Sequence, residues 1–312
     1  MDIRFYDFNL NLVKVLPPSG NKCGYSSINT SREFCGTGSL EIVFYDTDLQ
    51  KIVEQYDDNL IVSWNGFQGF LTGHIWKDTE FRLLGMHLNG IIHRIVFPYL
   101  STANYTVEEA VYAMFAKAQR QQETLTWITY IREEGFTEKY SIGLDTYQNA
   151  DTAVKDILTL DGAGYLVYVD FTAKKMYFKC LKPKENPIVI SSENKNAYDM
   201  EISKSNKEYF SGGYYHNESK NTWEYVGKSN GIFSTDCVLE ATSFGAAASE
   251  LKKKNKMYDI TAQTKGIKEG TDYSVGDIVR LQVGGVSVKK KVSGISKHIE
   301  KEYGEEPTFT EV

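Results

Sequence analysis

Cysteine, proline and histidine are all scarce in this chain: 312 residues hold 4 Cys, 6 Pro and 5 His. Cys23, Cys35, Cys180 and Cys237 include no closely spaced pair. That excludes a zinc knuckle, a redox dithiol and the dense disulfide framework of a small secreted domain. A disulfide between Cys23 and Cys35 stays open, and free thiols in a reducing cell are the favoured reading. His74, His87, His93, His216 and His298 are scattered. His87 and His93 share a face only if their segment is a strand, and neither has an acidic partner at ligand spacing, so structural roles are expected. No run approaches the roughly 20 apolar residues of a membrane span. The start, Met1-Asp2-Ile3-Arg4-Phe5, lacks the apolar core of a signal segment.

Positive charge is also short. Lys+Arg number 35 against 41 Asp+Glu, a net charge of −6, without the field of a nucleic-acid binder. The one basic cluster, Lys252-Lys253-Lys254 with Lys256, reads as the solvated face of a helix. Gly162, Gly164 and Gly212-Gly213 lack the strand–loop–helix setting of a phosphate loop. No Gly-x-Ser-x-Gly elbow occurs. Asp57-Asp58, Glu133-Glu134 and Glu305-Glu306 are adjacent acids. Neighbours in a strand point to opposite faces, so these read as solvated turns rather than acid/base pairs. The expectation is no catalytic, cofactor-binding or metal residue, no cofactor, and no enzyme.

What the chain does have is β-forming material. Hydrophobic residues make up 41% and aromatics 13%, including 21 Tyr and 16 Phe, a globular composition leaning towards strands. At about 150 residues per domain, the length suggests some two folding units. Residues 1–98 read as a first β domain. Leu40, Ile42 and Phe44 alternate onto one face, and Asn65-Gly66 is a hairpin dipeptide between Ile61–Trp64 and Gly69–Trp76. Phe5-Tyr6-Asp7 with Leu10 echoes Phe44-Tyr45-Asp46 with Leu49, read as repeated Asp-led turn chemistry.

Residues 99–185 read as an α/β insertion. Thr106 and Glu109 form a capping box, and a helical stripe of Ala110, Val111, Met114, Phe115 and Ala118 follows through about Gln121. A second helix spans Asp151 to Leu160, stopped by Asp161-Gly162-Ala163-Gly164, and Tyr165–Asp170 with Lys175–Leu181 form a hairpin. Strands return over residues 186–312, with one helix from Phe244 to Lys254 capped by Ser243. Val286 to Val292 and Ile295 to Glu300 read as separate strands, the first joined to Ile278–Val283 through Gly284-Gly285. The fold class is α+β, mainly β: two small β-barrel domains flanking an α/β insertion.

Several separated pieces carry a resemblance. They are Thr30-Ser31-Arg32-Glu33-Phe34 with Gly38-Ser39-Leu40-Glu41-Ile42, then Phe70-Leu71-Thr72-Gly73-His74-Ile75, then Leu84-Gly85-Met86-His87-Leu88 with Ile91-Ile92-His93-Arg94-Ile95. Val189-Ile190-Ser191-Ser192-Glu193-Asn194 follows in the second half, and Tyr273-Ser274-Val275-Gly276-Asp277-Ile278-Val279 is the most specific piece. Val292-Ser293-Gly294-Ile295 and a Glu302, Gly304, Pro307 tract close the series. Together these resemble the siphophage tail-hub family, the baseplate hubs related to late-control protein D, over most of the chain. The Cys23-to-Cys35 loop and the tyrosine-rich Tyr209-to-Tyr225 stretch depart from that pattern.

The resemblance implies a structural phage or prophage tail protein at the virion tail tip, made in the bacterial host cytoplasm. It implies a homotrimer whose two barrels per copy give a quasi-six-fold ring. Its partners would be distal tail, tape-measure and tail-tip or receptor-binding proteins, without nucleic acid and without membrane insertion by this chain. The residues themselves raise an alternative, a carbohydrate-binding β module using Trp64, Trp76, Trp223 and the tyrosines, although most aromatics alternate with polar residues as core rings do. A cell-wall hydrolase is the least favoured reading, because the last strands reach nearly to Val312.

Overall fold

A computed structural model describes residues 1–18, 24–77, 80–98, 100–119, 128–133, 135–144, 147–203, 210–218, 220–228, 235–254, 259–299, 303–310 and 312. The chain is mainly β. Its first region holds β1 (Ile3–Tyr6), β2 (Leu12–Leu16), β3 (Tyr25–Glu33), β4 (Leu40–Phe44), α1 (Thr47–Tyr56), β5 (Ile61–Trp64), β6 (Phe67–Trp76) and β7 (Phe81–His87). The expected alternation holds in β4, whose Leu40, Ile42 and Phe44 are all buried. Asn65 and Gly66 take φ of 46° and 79°, both left-handed, the conformation that a two-residue turn needs to match strand twist.

The two Asp-led turns diverge. Asp7 accepts from the backbone N–H of Asn11 at 2.8 Å and its Nδ2 at 3.0 Å, closing a hairpin. Asp46 accepts from the N–H groups of Asp48 and Leu49, at 2.9 Å each, and so starts α1. The helix was not foreseen beyond its Asp turn, because it is short and largely polar. Leu49 and Val53 are its buried residues, too few for a periodic stripe.

A 3-10 turn over Leu88–Arg94 leads into β8 (Val96–Phe97), β9 (Leu100–Tyr105), α2 (Val107–Gln119), β10 (Ile128–Ile131), β11 (Tyr140–Leu144), β12 (Gln148–Asn149), α3 (Ala150–Thr159), β13 (Gly164–Asp170) and β14 (Lys175–Leu181). Both arms of the capping box form. Glu109 N–H donates to Thr106 Oγ1 at 3.1 Å, and Thr106 N–H donates to Glu109 Oε2 at 3.0 Å. The stripe from Val107 to Ala118 and the α3 residues Ala153, Val154, Ile157 and Leu158 bury against β13 and β14, and the same core takes in Phe70, Leu88 and Ile92 from the first region. Gln121 lies outside the described residues.

The remainder is β15 (Lys184–Ser191), β16 (Ala197–Ser203), β17 (Gly212–Asn217), β18 (Thr222–Gly227), β19 (Asp236–Val238), α4 (Phe244–Lys254), β20 (Asp259–Thr264), β21 (Asp277–Val283), β22 (Val286–Ile299) and β23 (Tyr303–Thr310). The two strands expected over Val286 to Val292 and Ile295 to Glu300 are one strand, β22, with an irregularity between Val292 and Gly294; Glu300 lies outside the described residues. The bulge re-aims the strand, so β22 pairs β21 along residues 286–291 and β3 along 294–299.

That strand ties the chain's ends together. An eleven-stranded sheet runs β15-β21-β22-β3-β4-β7-β6-β5-β1-β2, with β23 added to β22. Among the described residues no continuous ladder closes this sheet. A single parallel bridge, Pro18 to Tyr25, brings the end of β2 back to the start of β3. Further along, Thr264 Oγ1 of β20 donates to the Glu305 carbonyl of β23 at 3.3 Å. No helix among the described residues is long and apolar enough to cross a membrane.

Candidate functional site

The most specific sequence piece, Tyr273 to Val279, sits where three parts of the chain meet. Its turn is closed by Asp277, whose Oδ2 accepts from Ser274 N–H at 2.9 Å and from Asn186 Nδ2 at 2.8 Å. Gly276 takes φ of 102°, and a Cβ there would overlap the Phe34 ring. Glycine is required twice over, by the backbone conformation and by the ring. Phe34 itself is buried at the end of β3. Its N–H donates to the Ser293 carbonyl at 2.8 Å, and its carbonyl accepts from Tyr165 N–H of β13 at 3.0 Å. A Cβ on Gly164 would strike Phe34 as well, and Lys291 Nζ stands 5.2 Å from the ring centroid. One side chain thus touches the first β region, the insertion and the last β region.

Beside this knot lies a shielded ionic cluster. Glu269 accepts from Arg32 Nη2 of β3 at 2.8 Å and from Lys297 Nζ of β22 at 3.0 Å. Glu269 N–H in turn donates to Glu305 Oε1 at 2.6 Å, and Tyr273 and Tyr303 hydroxyls donate to the Glu305 carboxylate at 2.8 Å each. Two carboxylates face two cations, so the cluster is neutral as a whole, and its hydroxyls and amides fill the remaining lone pairs. Glu305 was expected in a solvated turn; it lies in β23 at this joint. Glu133 carries Lys184 at 2.8 Å, and Glu134 lies outside the described residues.

The histidines have partners that spacing along the chain did not show. His93 Nδ1 is 2.7 Å from Asp151 Oδ2 and His74 Nδ1 is 2.8 Å from Asp58 Oδ1; His93 thus meets its acid by tertiary contact and not at ligand spacing along the chain. His87 is buried, and its Nδ1 accepts from Asn89 N–H at 3.1 Å. Burial, then the charge of Arg32, lowers its pKa from 6.5 to about 3. The folded state therefore refuses a proton that the unfolded chain takes up. Stability from neutral His87 is complete above pH 6.5 and drains away as pH falls towards 3, at up to about 1.4 kcal/mol per pH unit. His87→Asn keeps an acceptor for the Asn89 amide, and is expected to flatten the fall in urea midpoint between about pH 6 and 4. An unchanged slope would assign the acid sensitivity elsewhere.

Cys35, Cys180 and Cys237 are free thiols. Cys23 lies outside the described residues. Burial pushes the Cys35 thiol up to about 11, which keeps it protonated and unreactive. No group of three or more metal-ligating side chains occurs among the described residues. Lys254 of the basic cluster pairs with Glu250 at 3.0 Å, and Lys256 lies outside the described residues. A cleft of about 440 Å³ opens under the Asp7 turn, between Phe8 and Leu10 on one side and Phe70, Leu88 and Met176 on the other.

A second candidate surface is the small sheet β18-β17-β19. One face is covered by α4: Tyr215, Val226, Leu239, Ala247 and Leu251 form a separate core. Among the described residues the other face is uncovered. Register places Tyr214 opposite Tyr225 and Val238, and His216 opposite Trp223. Trp223 is 61% exposed and Tyr214 47%. Trp64, by contrast, is 1% exposed, and Trp76 is half-buried and stacked on His74 at 4.2 Å. Of the three tryptophans suggested for sugar stacking, only Trp223 is presented to solvent.

Comparison with known proteins places the whole architecture. No family model and no curated protein sequence matches the chain. Solved structures do. The 43 kDa tail protein of prophage MuSo2 from Shewanella oneidensis is similar at a TM-score of 0.66 and 12% identity, over 100% of this chain and 98% of that one. The tail protein from Neisseria meningitidis MC58 is similar at 0.64 and 12%, over 99% and 96%. Prophage tail protein gp18 from Listeria monocytogenes EGD-e is similar at 0.64 and 15%, over 99% and 94%. The chain has the fold of these phage tail proteins.

Proposed function

We propose that this chain is a structural, non-enzymatic hub of a phage or prophage tail, a ring-forming homotrimer that joins the end of the tail tube to the baseplate and host-recognition apparatus. The observation that carries this reading is the end-to-end likeness to prophage tail proteins, 100% of this chain against 98% of the Shewanella protein. In this reading residues 1–98 and 186–312 are two small barrels, and residues 99–185 the insertion between them. The first barrel would use β3-β4-β7-β6-β5-β1-β2, an order that the Pro18–Tyr25 bridge supports by bringing β2 back towards β3. The second uses β15, β16 and β20 to β23.

Among the described residues one bridge holds this seam, and in this reading a sister copy pairs with the backbone groups along it. A closed ring then ends assembly. Distal tail, tape-measure and tail-tip or receptor-binding proteins would be the neighbours. Light scattering over a concentration series is expected to give about three times the monomer mass, in keeping with closed cyclic symmetry. A particle that stays monomeric at the highest concentration and binds neither tail-tube nor distal tail protein would overturn the proposal.

A further inference from the structure

We infer that the aromatic face of the β17–β19 sheet, uncovered among the described residues, is a binding site for a neutral glycan. This goes beyond the hub reading and does not depend on it. The outward positions are Gly212, Tyr214 and His216 on β17, Trp223, Tyr225 and Gly227 on β18, and Asp236 and Val238 on β19. Gly212 is what shapes the face. A Cβ there would overlap the Tyr225 hydroxyl, so the Tyr225 side chain crosses over β17 and its hydroxyl donates to Asp236 Oδ1 at 3.0 Å on β19. Tyr214 stands beside it, centroids 5.1 Å apart and planes at 64°. A floor and a wall of aromatic ring result, with a carboxylate at the rim. Trp223 continues the platform next to His216, centroids 5.6 Å apart.

That arrangement suits a pyranose. Its C–H face is apolar and packs on a ring face, while its hydroxyls donate to a carboxylate. Charge narrows the ligand further. The outward positions carry one carboxylate and no Lys or Arg, which disfavours a polyanion. Size argues against a protein partner. Three strands of 3 to 6 residues span roughly 15 by 20 Å, about 300 Å², under half of the ~800 Å² per partner of a stable protein interface. Exposed rings in so small a patch are better matched to two or three sugar units.

The test uses the full chain with chitotetraose, cellotetraose and mannotetraose, read by calorimetry and tryptophan fluorescence, with hyaluronan as the anionic comparator. At least one neutral oligosaccharide is expected to bind. Trp223→Ala should weaken it about tenfold or more, and Asp236→Asn by a smaller factor, with the unfolding midpoint unchanged because both side chains are solvent-facing. Three results would each overturn the inference: no neutral probe binds, Trp223→Ala binds as well as the parent, or hyaluronan binds best. A change of particle mass in Trp223→Ala, with no sugar bound by the parent, would assign the face to a sister copy instead. Because the mass measurement is separate from the sugar titration, failure here leaves the hub proposal standing.

Discussion

Phe34→Ala is expected to lower stability by about 3–5 kcal/mol, the cost of emptying a large aromatic site in a packed core. The upper part of that range is expected, because the cavity opens at a junction. The ring fills the space kept by Gly276, the Phe34 carbonyl fills that kept by Gly164, and the ring lies under Lys291. Its backbone is held on both sides by Ser293 and Tyr165. Loss of the ring loosens the last β region and the insertion against the first, so urea unfolding should broaden as well as shift. A lower apparent m-value would report that the regions no longer unfold together. Phe34→Leu keeps most of the volume and is expected to cost roughly half as much or less. If Phe34→Ala unfolds within about 1 kcal/mol of the parent, the site has collapsed onto itself and the junction is not a packing point.

Glu269→Gln should cost a similar amount, about 3–5 kcal/mol, for a different reason. The carboxylate is the shared partner of Arg32 and Lys297, whose side chains are only 19% and 9% exposed. Its removal strands two cations in a site with little water to solvate them. The sign of the compensating experiment is distinctive. Replacing all four charges together, as Arg32→Met, Glu269→Leu, Lys297→Met and Glu305→Gln, is expected to recover most of the loss, because no charge is then left to balance and the Gln oxygen still accepts from the tyrosine hydroxyls. High salt should change the Glu269→Gln penalty little, since shielded charges are screened less than surface ones. A single substitution costing under about 1 kcal/mol would show that the cluster behaves as an exposed ion pair. The cluster spans β3, the loop before Tyr273, β22 and β23, so it reinforces the β22–β3 ladder that joins the two β regions.

Much of the fold was legible in the residues. The helices α2 and α3 carry unbroken apolar stripes, and the box at Thr106 and Glu109 marks the start of α2 without reference to anything distant. Asn65-Gly66 and Gly284-Gly285 turn as their left-handed φ values require. What was missed had no local signature. The stretch read as a Cys23-to-Cys35 loop is mostly strand β3, Tyr-Ser-Ser-Ile-Asn-Thr-Ser-Arg-Glu; only its end, from Thr30, was matched to a strand by resemblance, and the polar remainder is a strand because β4 and β22 flank it. Glu305 looked like a solvated acid because its partners Glu269 and Tyr273 lie more than thirty residues back.

The aromatic residues make the same point most sharply. Trp64 and Trp223 each sit in a short strand beside a turn, and nothing adjacent to them in the chain separates their fates. One is sealed in the first core, the other lies open on a three-stranded sheet. Side-chain period and turn chemistry are properties of a few consecutive residues, and those the amino-acid order determined by itself: mainly strands, an α/β stretch between them, and no apolar span. Which charges meet, which glycine must yield to which ring, and which face of a sheet stays wet depend on segments that meet only after folding. Arg32 and Glu269 are 237 positions apart, and only the tertiary structure could make them neighbours.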